Sequence, residues 1–360
     1  MITSARESKL RVLIVDDSSF MRMAIRGILS RAPRIEVVGI ASDGVEGVEK
    51  ALALKPDLIT MDVEMPRMDG IAALKQIMAK QPTRVLMVST LTCEGARSTF
   101  EALEAGAIDY VPKNVSDCKD SQRAFQEALL AKVMEASNSM VQPQRKVIGV
   151  ERPRLVSPSE VRPSRFAHRK IGYVGIGAST GGPVALQEVL SRIPVNFPHG
   201  IVVAIHMPKA FTGPYADRLN AKCSLSIREG ADGDIVKGGQ VLIAPGGRHC
   251  SLVRQGGNVV LRTAATTDYP QYIYIPSVDL MLTTMCDACG GSMLGVILTG
   301  MGNDGFKGMQ HLKSKGGVTL VQNEETSTIY GMPRACIEGK VADVVLPLEQ
   351  IGFEIGKIGS

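Results

Sequence analysis

Residues 175–183 read GIGASTGGP, and within them Gly177-Ala178-Ser179-Thr180-Gly181 spells G-x-S-x-G. A glycine-rich turn of this kind has two chemical uses: it cradles a phosphate at a helix start, or it displays a serine as a nucleophile. Glycine serves both, because a tight strand-to-helix turn needs backbone angles or close approaches that a Cβ blocks. Serine is a weak nucleophile by itself; it needs a base within hydrogen-bond reach and an acid to orient that base. A second set of reactive residues lies upstream: Asp16, Asp17, Asp62, Ser89 and Lys113. Carboxylates brought together repel one another, and a hard divalent cation, Mg²⁺ above all, relieves this best. Such a metal also neutralises charge on an incoming phosphoryl group, while a lysine adds a second positive point and a hydroxyl donates to a phosphate oxygen. One carboxylate then becomes an acyl phosphate.

Each upstream residue follows a short apolar run. RVLIV precedes Asp16 and Asp17, DLITM precedes Asp62, VLMV precedes Ser89, and AIDYV precedes Pro112 and Lys113. Between them Met21, Ile25, Ile28 and Leu29 keep helical spacing, and another helical pattern runs from Glu94 to a glycine stop at Gly106. Strands alternating with helices predict a doubly wound parallel sheet, whose ligands bind beyond the carboxyl ends of its strands. That geometry gathers all five residues at one edge. An aspartate after a strand also caps helices, and a lysine is often a surface residue. Five such residues at the ends of four strands favour a phospho-acceptor site.

Downstream, KIGYVGIGA predicts a strand and PVALQEVLSRI a helix that begins at Pro183, the helical position most tolerant of proline. Ser179 therefore lies at a strand-to-helix turn, with free backbone N–H groups and a positive dipole end behind it. A dinucleotide fingerprint would need glycine at 180, where Thr180 stands, and an acid after the next strand, GIVVAI, which ends instead in His206. No phosphate-binding P-loop pattern is present. A histidine in that place is what a serine nucleophile needs, and His206 is favoured because GIVVAI is the next strand along the chain. His249, after VLIAP, is a rival; His168, His199 and His311 fall in linker, loop and helix contexts. The orienting acid is Asp304, in the glycine-rich loop that ends MLGVILTGMGNDG, or Asp279 in IPSVDLM, whose spacing suits a helix-start cap. The order Ser179, His206, Asp304 differs from familiar hydrolase orders, but triads are defined by geometry.

With 360 residues, 44% hydrophobic and 21% charged, the chain suits about two soluble domains. No apolar run reaches the ~18 residues of a membrane span, and MITSARESKLRVLIV lacks a secretory pattern, so a cytoplasmic protein without membrane insertion is expected. Seven scattered cysteines do not read as a disulfide framework, and Cys286-x-x-Cys289 has no second ligand pair at zinc spacing. The net charge of +5 is concentrated: residues 138–170 hold eight Lys/Arg against two Asp/Glu, with four prolines. That stretch reads as an extended, mobile linker rather than a nucleic-acid surface, since it has neither interleaved aromatics nor a recognition helix. The expected layout is one module at residues 9–137, a basic proline-containing linker at 138–168 and a second module at 169–355.

VLIVDDS, DLITMDVEMPRMDG, VLMVST and DYVPK resemble a response-regulator receiver domain. The resemblance implies a flavodoxin-like fold in which Asp62 takes the phosphoryl group, Asp16, Asp17 and Asp62 hold Mg²⁺, and Ser89 and Lys113 sense the phosphate. Receivers usually have Lys-Pro, whereas here Pro112 precedes Lys113 and Asn114 follows it. GIGASTGG, HMPKAFT, LIAPGG, PSVD, ILTGMGNDG and YGMPRA resemble, in order, the catalytic domain of the chemotaxis protein-glutamate methylesterases, the CheB family. This implies a Rossmann-like serine-esterase domain with Ser179 as nucleophile, His206 as base and Asp304 as its partner. Thr180 and the backbone around Met301 would lie near the oxyanion. The implied function is phosphorylation-activated hydrolysis of glutamate γ-methyl esters on methyl-accepting chemoreceptors, with deamidation of receptor glutamines, a chemotaxis histidine kinase as phosphodonor and no metal for the ester step. Tyr272, Ile273, Tyr274 and Ile275 stand where family members often carry basic residues and are expected to face substrate. The alternative is a non-enzymatic response regulator whose second module binds a nucleotide or a protein partner.

Overall fold

The computed structural model describes residues 9–90, 92–113, 119–137, 165–166 and 168–359; Asn114 and most of the stretch read as a linker lie outside the described residues. The chain divides into two units, Met1–Lys146 and Val147–Ser360.

In the first unit, strands β1 (Leu10–Val15), β2 (Ile35–Ala41), β3 (Leu58–Asp62), β4 (Arg84–Thr90) and β5 (Asp109–Lys113) alternate with helices α1 (Ser19–Leu29), α2 (Gly44–Leu54), α3 (Gly70–Lys80), α4 (Cys93–Glu104) and α5 (Lys119–Ala136). The sheet order is β2-β1-β3-β4-β5 and every pairing is parallel. This is the flavodoxin-like doubly wound order, with its reversal between β1 and β3. The helical spacing of Met21, Ile25, Ile28 and Leu29 appears as the buried face of α1. Residues Val12–Val15 are buried on both sides of β1, as continuous apolar strands of parallel sheets are. Ser18 caps α1 through its side chain, Asp43 caps α2 and Asp69 caps α3, which satisfies N–H groups left unpaired at helix starts.

The second unit holds β6 (Tyr173–Ala178), α6 (Gly182–Ser191), β7 (Gly200–Ile205), α7 (Lys209–Lys222), β8 (Ser226–Glu229), β9 (Gln240–Ile243), β10 (His249–Gln255) and β11 (Asn258–Ala264). It continues with α8 (Val278–Cys289), β12 (Met293–Ile297), α9 (Phe306–Ser314), β13 (Val318–Gln322), α10 (Met332–Glu338), β14 (Val344–Leu346) and α11 (Leu348–Gly356). Seven strands form a parallel sheet in the order β14-β13-β12-β6-β7-β9-β8. The sequence also builds an antiparallel hairpin, β10 on β11, outside that sheet. Central β6 pairs with β12 on one side and β7 on the other, so the chain's winding reverses beside β6.

The glycines before Ser179 have a packing role. A Cβ at Gly177 would come within 2.3 Å of Val278 Cγ1, so glycine there lets α8 lie directly on β6. Gly181, at φ +75°, makes the left-handed turn into α6, where Pro183 occupies the first turn. Cys286 and Cys289 are buried on α8 as free thiols, and burial pushes Cys286 up to about 11, so neither is poised as a thiolate ligand or nucleophile. Among the described residues, no helix is long and apolar enough to cross a membrane.

Candidate active site

In the first unit, Asp16 follows β1, Asp62 ends β3, Ser89 lies in β4 and Lys113 ends β5. Lys113 Nζ sits 3.0 Å from Asp16 Oδ2 and 2.7 Å from Asp62 Oδ2, which links three strand ends. Val63 N donates to Asp62 Oδ1 at 2.7 Å, so both oxygens of that carboxylate have a partner. Burial pushes the Asp62 carboxyl up to about 6; Lys113 opposes the shift and the Asp16 charge adds to it. Burial also works against the Lys113 ammonium, but the two carboxylates outweigh it and hold its pKa above the usual value. Asp16, Asp17 and Asp62 each offer an oxygen within 4.8 Å of the others, with Asp17 exposed to solvent. Hard carboxylate oxygens converging at an open edge fit Mg²⁺. Ser89 is buried and its hydroxyl donates to the Gly95 carbonyl at 3.3 Å.

In the second unit, Ser179 leaves the carboxyl end of β6, His206 that of β7, and Asp304 lies in the loop after β12. These three strands are neighbours at the winding reversal, where open α/β sheets form their ligand crevices. His206 Nδ1 lies 3.1 Å from Ser179 Oγ and its Nε2 2.8 Å from Asp304 Oδ2. The backbone ties the same groups together: His206 N donates to Ala178 O at 3.3 Å and Ser179 N to Thr299 O at 3.0 Å.

Asp304 is 3% exposed and sits at the start of α8. Val278 N donates to its Oδ2 at 2.8 Å, Asp279 N to its Oδ1 at 2.9 Å, and the Ser277 hydroxyl to its Oδ1 at 3.1 Å. Burial alone would raise this carboxyl; the His206 bond and charge and those backbone N–H groups outweigh it and hold its pKa below the ordinary range. Asp304 is therefore a fixed anion opposite Nε2. Asp279 is placed otherwise. It lies in the first turn of α8, whose side-chain cap is Ser277, and it accepts from Gly308 N at 2.8 Å. Burial pushes Asp279 up to about 6, against the Gly308 bond and with the Asp304 charge. His249 opens β10, fully buried, with Tyr269 and Tyr272 set edge-on to its ring and no hydrogen bond at either ring nitrogen. Of the two candidate bases, only His206 meets Ser179. His311 pairs with Asp287 at 2.7 Å on the surface, and burial lowers His199, in the loop before β7.

Thr180 is buried and its carbonyl accepts from Thr299 Oγ1 at 2.9 Å. Met301 follows Gly300, where a Cβ would come within 2.8 Å of Ser179 Cβ, so the Met301 loop closes directly on Ser179. Sequence reasoning did not single out Ser277, Thr299 or Gln322. Gln322 Oε1 accepts from Thr299 N at 2.7 Å, and Ile329 N donates to Thr299 Oγ1 at 2.9 Å, which pins the turn at Ser179 to β13 and the loop after it. Ser277 and Thr299 stand inside the PSVD and ILTGMGNDG stretches; Gln322 carries no signal beyond being polar at the end of an apolar strand.

The response regulator receiver domain family matches residues 12–122, and the CheB methylesterase family matches residues 174–355. A protein-glutamate methylesterase/protein-glutamine glutaminase of Geobacter sulfurreducens is 70% identical, over 98% of this chain and 98% of that protein. One of Geobacter metallireducens is 69% identical over the same shares, and one of Lawsonia intracellularis is 41% identical over 96% of this chain and 98% of its own length.

Proposed function

The chain belongs to the CheB methylesterase family, with a receiver domain ahead of the catalytic domain, and we propose that it hydrolyses glutamate γ-methyl esters on chemoreceptors through Ser179, His206 and Asp304, under control of phosphorylation at Asp62. The observation that carries this reading is the hydrogen-bond chain from Ser179 Oγ through both nitrogens of His206 to Asp304. A carboxylate only accepts, so Nε2 carries the ring proton and Nδ1 presents its lone pair to the serine. His206 Nδ1 takes the Ser179 proton as Oγ attacks the ester carbonyl, and Asp304 stabilises the imidazolium. The oxyanion is stabilised by the N-terminus of α6 and the backbone near Thr180 and Met301. Nδ1 then hands its proton to the departing methoxy oxygen, methanol leaves, and water activated by His206 resolves the acyl-enzyme to glutamate. With a glutamine amide the same steps release ammonia.

In the receiver, Asp62 is the phosphoryl acceptor, and Asp16, Asp17 and Asp62 would hold Mg²⁺, which would neutralise charge on the transferring phosphoryl group. Lys113 keeps the Asp62 carboxylate oriented before transfer and pairs with a phosphoryl oxygen after it. The phosphodonor is a chemotaxis histidine kinase, and a cytoplasmic location goes with these partners. Methanol release from methylated receptor fragments tests the reading. It is expected from the parent chain, to rise with a small phosphodonor and Mg²⁺, and to vanish in Ser179→Ala; saturable nucleotide binding without methanol release would overturn it.

A further inference from the structure

The segment before α8 reaches back over the catalytic base. The Tyr274 ring lies flat on the His206 imidazole, with centroids 4.7 Å apart and planes within 6°. Both ring edges of His206 are already engaged, Nδ1 with Ser179 and Nε2 with Asp304, so Tyr274 covers a face that those bonds leave open. The far end of the phenol lies close against Gly302. A Cβ on Gly302, which has φ +73°, would come within 2.5 Å of the Tyr274 hydroxyl. The ring thus spans from the base to the loop that carries Met301 and Asp304. Nothing in its spacing reveals this, since Tyr274 lies in an irregular run of tyrosines and isoleucines.

We propose that Tyr274 is a positioning residue for the esterase, holding the His206 imidazole in plane and stabilising it selectively once it carries the Ser179 proton. The inference rests on the esterase reading above. A neutral imidazole stacks on a phenol by dispersion; an imidazolium over the same face is also drawn to the negative face of the ring. An interaction that strengthens as charge develops on the base lowers the barrier rather than merely tightening binding. Among the described residues, Ser179 and Asp304 bond the two ring nitrogens of His206, while Asp279 and His249 feel the Asp304 charge and Asp279 also feels that of Lys307. Tyr274 is the aromatic group stacked on the face of the ring.

The test follows Ser179 labelling by a fluorophosphonate probe in the full chain, across pH, for the parent, Tyr274→Phe and Tyr274→Leu. Tyr274→Phe keeps the ring and should label within about twofold of the parent. Tyr274→Leu keeps bulk without the π face and should label about fivefold to thirtyfold more slowly. Its acid limb should move to lower pH by about half a pH unit or more, because the protonated base has lost its stacking partner. The position of the limb does not depend on how much of a variant is folded. A Leu variant with the parent's rate and limb would overturn the proposal, as would a slower Leu variant with an unmoved limb, or a Phe variant as slow as Leu. A parent chain that takes no label would overturn the esterase reading itself, and this proposal with it.

Discussion

Ser179 Oγ meets the Nδ1 edge of His206, at 3.1 Å, and leaves Nε2 to Asp304. In the familiar serine-protease arrangement the two nitrogens are used the other way round. The chemistry survives the exchange, because the base needs only a lone pair toward the serine and a proton toward the acid. Nitrogen-15 spectra of the imidazole should therefore show the proton on Nε2 in the resting enzyme. A resting ring protonated on Nδ1 alone would contradict this arrangement.

Asp304→Asn should lower methanol release by about 10²- to 10⁴-fold, because an amide facing Nε2 permits the wrong tautomer. Asp279→Asn should lower it far less, since Asp279 faces Gly308 N rather than the base. Equal losses in the two variants would remove the distinction between them.

Asp279 also makes a stability prediction. Its folded pKa of about 6 lies above the ordinary carboxylate value, so its contribution is fully present below about pH 4 and is lost as pH rises through about 6. Ionising it in place costs about 3 kcal/mol. The Asn variant keeps an acceptor for Gly308 N without a charge, so its melting temperature should fall less between pH 4 and 7 than the parent's. Asp304 works in the opposite direction and below that window, since its pKa is depressed and its contribution is lost only as the solution becomes more acid than about pH 4. Parallel melting curves for parent and Asp279→Asn across pH 4–7 would show that the Asp279 charge is not strained.

Asp62→Asn should leave the basal esterase rate unchanged and abolish its rise with phosphodonor and Mg²⁺. Withdrawing Mg²⁺ from the parent should do the same, since Asp16, Asp17 and Asp62 converge within 4.8 Å. Stimulation that persists in the Asn variant would place the phosphoryl group elsewhere.

Thr299→Val should destabilise the catalytic unit by about 2 kcal/mol, because its hydroxyl serves Thr180 O and accepts from Ile329 N in a buried setting. For a unit of this size that is a fall of about 4–8 °C in Tm. Calorimetry showing no change would mean that the turn is held without this network.

Much of the molecule was written locally. The buried face of α1, the strand ends at Asp16, Asp62 and Lys113, and the turn at Ser179 each follow from a few consecutive residues, through periodicity, turn chemistry and capping. The motifs narrowed the base to His206 or His249 and the acid to Asp304 or Asp279. Tertiary structure separated them. His206 and Asp304 are 98 residues apart, and they meet because β6 lies between β7 and β12 at the winding reversal. His249 follows a strand just as His206 does, but it opens a hairpin outside the parallel sheet and points no nitrogen at the serine. The sequence marked Tyr274 as facing substrate rather than as lying on the His206 ring, and Gln322 behind Thr299 showed only a polar residue ending an apolar strand. Periodicity and propensity act over one or two turns of chain, so the sequence by itself determined the elements and the residues they present. Which of those residues touch depends on the order in which strands stack, and that was decided only by the packing of the whole sheet.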